Sequence, residues 1–215
     1  MDEATHLPVY LVRHGKVQKK SGHLPDYNAP LTPEQPALQA LMPHFDFDAD
    51  WHVSPLTRAI ETSAILSPDN MEPQIDDRLE EQNFGLWHGK SLQDVWQEIA
   101  NNHQPRHPAS FINPDTCPPN GTSFVMIYDI CADFLSDLIA RKPTKPQIII
   151  CHAHIIKALL AQMMGLSAHQ ALMLQIDHGS VSRADYIWQN NMPETVIPWH
   201  IHYINKVCNS PIAKS

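Results

Sequence analysis

The sequence predicts an α/β domain, a three-layer α/β/α sandwich around a mostly parallel sheet. Two short, uninterrupted apolar runs carry that expectation, Pro8-Val9-Tyr10-Leu11-Val12 and Gln147-Ile148-Ile149-Ile150-Cys151. A strand covered by helices on both faces shows such runs rather than alternation with polar residues. Segments with apolar residues at helical spacing lie between the strand-like runs, the order that places helices on both faces of a sheet. Length and composition agree: with 215 residues, 43% hydrophobic and 18% charged, one domain can bury roughly 70% of its unfolded surface. The whole chain, 1–215, is therefore read as one domain.

The first run ends in Arg13-His14-Gly15 and opens into a polar loop over residues 16–31. Thr32-Pro33-Glu34-Gln35 reads as a helix start, with Thr32 as N-cap, Pro33 in the first position and Gln35 three residues after the cap. Pro36 conflicts with that reading, and Pro43 closes the segment. A weaker strand at residues 51–53 leads to Ser54-Pro55, again a cap then proline, and to a helix ending near Leu66. Gly89-Lys90-Ser91 precedes an amphipathic helix over residues 92–100. The proline-rich stretch that follows, with little periodicity, is long for a loop and is read as a loop or lid insertion around residues 101–121. From Thr122, Phe124, Ile127, Tyr128, Cys131, Phe134, Leu135, Leu138 and Ile139 recur at helical spacing. The second buried run ends in His152-Ala153-His154, before a helix over residues 155–164 with Gly165 as its stop. Strands are expected near residues 172–176, 181–188 and 197–204. In open α/β sheets ligands sit beyond the carboxyl ends of the strands, so His14 and His152 are expected on one rim.

Fifteen Lys and Arg against 23 Asp and Glu give a formal charge of −8. That balance speaks against broad binding to nucleic acid or to an anionic membrane, both of which need excess Lys and Arg. An anionic ligand then requires a local cationic pocket. No run of about 18 apolar residues occurs, so no spanning helix is expected. The acidic start, Met1-Asp2-Glu3-Ala4-Thr5-His6, lacks the basic-then-apolar pattern of a signal peptide. Cys117, Cys131, Cys151 and Cys208 are scattered without a CxxC, the pattern of reduced thiols in a cytoplasmic protein. Composition does not explain the 14 histidines.

Four local patterns bear on chemistry. Arg13-His14-Gly15 places a fixed cation beside an imidazole, with a glycine permitting close backbone approach to a ligand, though a tripeptide can occur by chance. Ser54-Pro55-Leu56-Thr57-Arg58-Ala59 places Arg58 in the first turn of a helix, where the dipole disfavours a cation. A bound dianion would resolve that conflict, because a helix N-terminus and a guanidinium both suit phosphate oxygens; a surface arginine is the other reading. Leu79-Glu80-Glu81-Gln82-Asn83-Phe84-Gly85-Leu86-Trp87-His88-Gly89 sets paired carboxylates among glycines and aromatics, either a structured loop offering one acid to a pocket or a solvated face. His152-Ala153-His154 could supply two metal ligands, but Ile155, Ile156 and Lys157 stand where a dinuclear hydrolase needs a further Asp and His, so no metal is expected.

In this order and spacing the four patterns resemble the histidine phosphatase (phosphoglycerate mutase-like) superfamily over nearly the whole chain. The resemblance implies a phosphomonoesterase that acts on a small phosphorylated molecule without metal or cofactor. By the same resemblance His14 would attack phosphorus and form a phosphohistidine. Glu81 would protonate the leaving oxygen and then deprotonate water. Arg13, Arg58 and His152 would surround the non-bridging oxygens. Each such contact at ~4 Å is worth roughly 4 kcal/mol before desolvation. Departures are Lys16 for the usual acidic or amide residue, His88 for the Glu after Trp, and Ala153 for the Gly after the second His. Ala153 can still offer its backbone N–H, and Gln18 and Ser21 are candidate phosphate or substrate contacts. Within the superfamily, Pro119-Asn120-Gly121-Thr122-Ser123-Phe124, Ala161-Gln162-Met163-Met164-Gly165-Leu166 and Ile176-Asp177-His178-Gly179-Ser180-Val181-Ser182 are most similar to the alpha-ribazole phosphatases. A phosphoglycerate mutase, a broad-specificity sugar-phosphate phosphatase and a silent phospho-ligand binding module are the alternatives.

Overall fold

The computed structural model describes residues 5–45, 47–68, 71–102, 107–188 and 197–208. Six strands, β1 (Thr5–Arg13), β2 (Asp50–Val53), β3 (Gln74–Ile75), β4 (Gln147–Cys151), β5 (Ser180–Trp188) and β6 (Trp199–Val207), form one sheet. Their order is β3-β2-β4-β1-β5-β6. The first four in that order are parallel, and β5 and β6 extend the sheet with two antiparallel pairings.

The two apolar runs are buried on both faces. Leu7, Val9 and Leu11 of β1, with Ile149 and Cys151 of β4, pack on α4 (Phe124–Ala140) and α5 (Ala153–Met164). The alternating residues Tyr10, Val12, Ile148 and Ile150 pack on the opposite layer, with Leu38 and Leu41 of α1 (Pro36–Leu41) and Ala59 and Leu66 of α2 (Thr57–Leu66). The period-two geometry of a strand sorts one unbroken apolar run into both cores. A third cluster joins Phe84 and Trp87 to Val95 and Ile99 of α3 (Leu92–Asn101) and to Ile112, which is fully buried. Phe111 and Ile112 thus tie part of the expected insertion to this cluster; 103–106 lie outside the described residues. No helix among the described residues is long and apolar enough to cross a membrane.

Three element boundaries differ from expectation. The first helix starts at Pro36, not Pro33, with Pro36 in the tolerated first position. The Gln35 side chain goes instead to the loop after His14: Oε1 accepts from Lys16 N at 2.9 Å, and Nε2 donates to Lys16 O at 2.8 Å. Ser54 does not cap α2, which begins at Thr57 after extended Leu56. Residues 172–176 form no strand. Leu172 and Ile176 are buried, but the backbone of 173 and 174 donates to Gln170 and Ala171 of the short α6 (Ala168–Ala171), and Ile176 O accepts from Arg13.

Candidate active site

Backbone ladders that run past the strand ends bring the candidate residues to one rim. His14 N donates to Cys151 O at 3.0 Å, and Ser54 N donates to Ile150 O at 3.0 Å, so His14, His152 and Ser54 lie side by side. The His14 and His152 ring centroids are 5.0 Å apart.

His14 is 3% exposed, and its Nδ1 donates to Gly15 O at 2.7 Å. A carbonyl only accepts, so the proton sits on Nδ1 and the neutral ring carries its lone pair on Nε2. Burial, then the Arg13 and Arg58 charges, hold the His14 pKa well below its usual value, which keeps that lone pair free. Gly15 packs closely on a neighbour: an added Cβ would fall 2.2 Å from Gln35 Oε1, which would have to move. Its N–H donates to Thr62 Oγ1, which ties the loop to α2.

Arg13 is fixed by two donations, Nη1 to Ile176 O at 2.6 Å and Nη2 to His178 Nε2 at 2.9 Å. Its Nε is buried without a partner. Arg58, the second residue of α2, donates from Nη1 to Tyr27 O at 2.6 Å and from Nε to His152 Nδ1 at 3.2 Å. His152 therefore accepts at Nδ1, and its Nε2 donates to Ser54 Oγ at 2.7 Å. Both ring nitrogens of this fully buried residue are engaged, and burial, then the adjacent His14 ring and the Arg58 guanidinium, both of which oppose a second positive charge, push its pKa well down.

Glu81 comes from the loop before α3, which is stitched to residues 119–122. Asn83 N donates to Thr122 Oγ1, Thr122 N donates to Asn83 O, and Leu86 N donates to Pro119 O. Gly85 sits at φ +52°, where an added Cβ would lie 2.0 Å from Pro119 O, so only glycine permits that closure. Glu81 Oε1 accepts from Gln82 N at 3.0 Å.

Arg13, His14, Arg58, Glu81 and Ala153 line one cavity of about 230 Å³. His152 is not among its lining residues; it stands behind His14 and holds Arg58. Gln18 and Ser21 also do not line it. The loop is extended there, so Val17 and Lys19 face the cavity while the Gln18 side chain turns back to donate to Leu31 O, and Ser21 is exposed in a turn. Lys16 is exposed and borders a neighbouring cavity; Lys19 supplies the mouth's cation. Sequence reasoning missed Tyr27, Lys19 and His178 and offered His88 and His154 only as neighbours of the two catalytic candidates; all five line the cavity. The Asp177-His178-Gly179-Ser180 turn is the one local signal for His178, whose ring lies 5.2 Å from that of His14. Among the described residues no three His, Cys, Asp or Glu side chains converge as metal ligands.

A neutral imidazole, one buried and one half-buried guanidinium and a carboxyl group around one small cavity make a cationic site that suits a phosphate group. Residues 9–194 match the model of the histidine phosphatase superfamily (branch 1). The chain belongs to that superfamily and is a hydrolase of phosphate esters. Among known proteins it is similar to the adenosylcobalamin/alpha-ribazole phosphatase of Escherichia coli, with 27% identity over 189 residues, 82% of this chain and 89% of that protein. The fold is shared with a mycobacterial glucosyl-3-phosphoglycerate phosphatase at TM-score 0.76, with 19% identity over 94% of this chain and 99% of that one. It is shared too with the alpha-ribazole phosphatase of Shigella flexneri at TM-score 0.73, with 23% identity over 97% of this chain and all of that one (100%).

Proposed function

We propose that this chain is a metal-independent phosphomonoesterase that forms a phosphohistidine on His14 and hydrolyses alpha-ribazole 5′-phosphate in cobalamin nucleotide-loop assembly. The observation that carries the chemistry is the His14 hydrogen bond to Gly15 O, which commits Nδ1 and leaves Nε2 as the nucleophile among two guanidiniums and a carboxyl group. Nε2 attacks phosphorus in line, and the P–O bond to the alcohol breaks as Glu81 gives that oxygen its proton. Glu81, now a carboxylate, takes a proton from water, which displaces phosphate from His14. Arg13 and Arg58 hold the non-bridging oxygens, with the Ala153 N–H at the start of the twelve-residue α5 as a further donor. His152 aligns Arg58 in the resting site and reaches phosphate itself only if its Nε2–H leaves Ser54.

Support for the substrate comes from the curated relative at 27% identity and from the cavity wall. Leu24, Tyr27, Phe84 and Phe111 offer apolar and aromatic surface beside the phosphate residues, which suits a planar heteroaromatic nucleoside better than a small carboxylate. We place the enzyme in the cytoplasm, where its four free thiols stay reduced.

The test is a panel of phosphomonoesters ranked by kcat/KM in the presence of a chelator: alpha-ribazole 5′-phosphate, 3-phosphoglycerate, sugar phosphates and p-nitrophenyl phosphate. The nucleoside phosphate should rank first with chelator-insensitive turnover. A sugar phosphate in first place, or conversion of 3-phosphoglycerate to 2-phosphoglycerate, would reject the substrate, and chelator inhibition would reject metal independence.

A further inference from the structure

His154 is the second residue of α5, and its ring sits edge-on between Phe84 and Phe124, with centroids 5.8 and 5.5 Å away. Packing alone would be served by another apolar ring there. Instead the site holds an imidazole whose Nδ1 is buried with no hydrogen-bond partner, an arrangement that costs stability unless it serves something else. An oxygen of the proposed acid–base group, Glu81 Oε1, lies 3.7 Å from that nitrogen.

We propose that His154 is the positioning residue for Glu81: its neutral Nδ1–H closes on Oε1, already held by Gln82 N–H, so that Oε2 is left to exchange the proton with the leaving oxygen and water. The inference rests on the acid–base reading of Glu81. Burial, opposed by the Glu81 charge, pushes the His154 pKa down to about 4, so at neutral pH the contact is a neutral donor facing a carboxyl group and not an ion pair. Other groups also act on Glu81. Arg13 of β1, Arg58 of α2 and Lys157 of α5 contribute positive charge; Tyr27 and His88 approach from the flanking loops, and the thiols of Cys131 and Cys151 from α4 and β4. These remain in place in a variant at position 154, so a change in the Glu81 pH limb reports His154 itself.

The experiment compares His154→Phe, His154→Asn, His154→Gln and Glu81→Gln. Phenylalanine keeps the ring between its two aromatic neighbours and removes both nitrogens, the asparagine amide approximates Nδ1, and the glutamine amide approximates Nε2. The readouts are kcat/KM for an alkyl phosphate and for p-nitrophenyl phosphate, each as a function of pH. His154→Phe should lose roughly tenfold on the alkyl ester, which needs a protonated leaving oxygen, and less than about twofold on the nitrophenyl ester. The basic limb should move to higher pH, because a donor to the carboxylate has been removed, and His154→Asn should restore it. An unchanged alkyl-to-nitrophenyl ratio and basic limb in His154→Phe would overturn the proposal. Should that variant fail to fold, a basic limb that is equal in His154→Asn and His154→Gln overturns it instead. A leaving-group effect in Glu81→Gln with none in His154→Phe rejects this inference alone. No leaving-group effect in Glu81→Gln rejects the acid role and the inference with it.

Discussion

His14 and His152 carry the same side chain at equivalent strand ends, and hydrogen bonding and access to the cavity distinguish them. One nitrogen of His14 is free, whereas both nitrogens of His152 are engaged by Arg58 and Ser54. The positions of His14, Arg13 and Arg58 were legible because each lies where a local pattern marks an element end, whereas Glu81 was singled out of its glutamate pair only by the family resemblance. The tautomers were not, since they depend on partners far along the chain. His178 was equally hidden: it reaches the rim from a turn whose flanking apolar run reads as a strand. Gln18 was misplaced because one residue of register in an extended loop reverses the direction of the side chain. We expect His178→Ala to release Arg13 Nη2 and lower kcat/KM about tenfold, in line with roughly 1.5 kcal/mol for a hydrogen bond to a charged group. Gln18→Ala should stay within about twofold of wild type. Steady-state kinetics on both variants checks this, and a larger loss for Gln18→Ala would place the phosphate contacts elsewhere.

At the scale of elements, β1, β4, α4 and α5 were legible because apolar periodicity alone specifies them. The starts of α1 and α2 were not, because the residues that resemble caps are drawn into the site. Gln35 pins the loop after His14, and Ser54 accepts from His152. The short β3, Gln74–Ile75, has both residues exposed and no burial pattern to read. Gly85 is the point at which the Glu81 loop closes on residues 119–121. We expect Gly85→Ala to cost about 2 kcal/mol or more, from a left-handed conformation and a clash with Pro119 O, and to lower turnover by displacing Glu81. Chemical denaturation together with kinetics checks it, and wild-type values for both would show that the closure does not hold Glu81.

At the scale of the molecule, a formal charge of −8 coexists with a cavity where Arg13, Lys19 and Arg58 outnumber Asp26 and Glu81, so the local balance is the reverse of the global one. Part of the histidine excess is explained as well: His14, His88, His152, His154 and His178 gather in and behind the site. Burial lowers the pKa of each, to about 4 for His154 and about 3 for His178. Unfolded rings protonate near 6.5 while the folded rings stay neutral, so between those values the unfolded state binds more protons. Stability should therefore be fully present above about pH 6.5 and fall as pH drops toward 4, by up to roughly 1.4 kcal/mol per pH unit for each of His154 and His178, with the other rings acting in the same direction. Denaturation midpoints at pH 7.5, 6 and 5 check this, and a constant midpoint would mean that the rings are not held neutral. In the proposed mechanism, fold, tautomer and charge all serve one event, transfer of phosphorus to His14 Nε2. Rapid quench with a radiolabelled phosphomonoester tests it most directly: the enzyme should carry label that survives alkali, is lost in acid and is absent from His14→Ala, whereas alkali-stable label on His14→Ala would contradict the account.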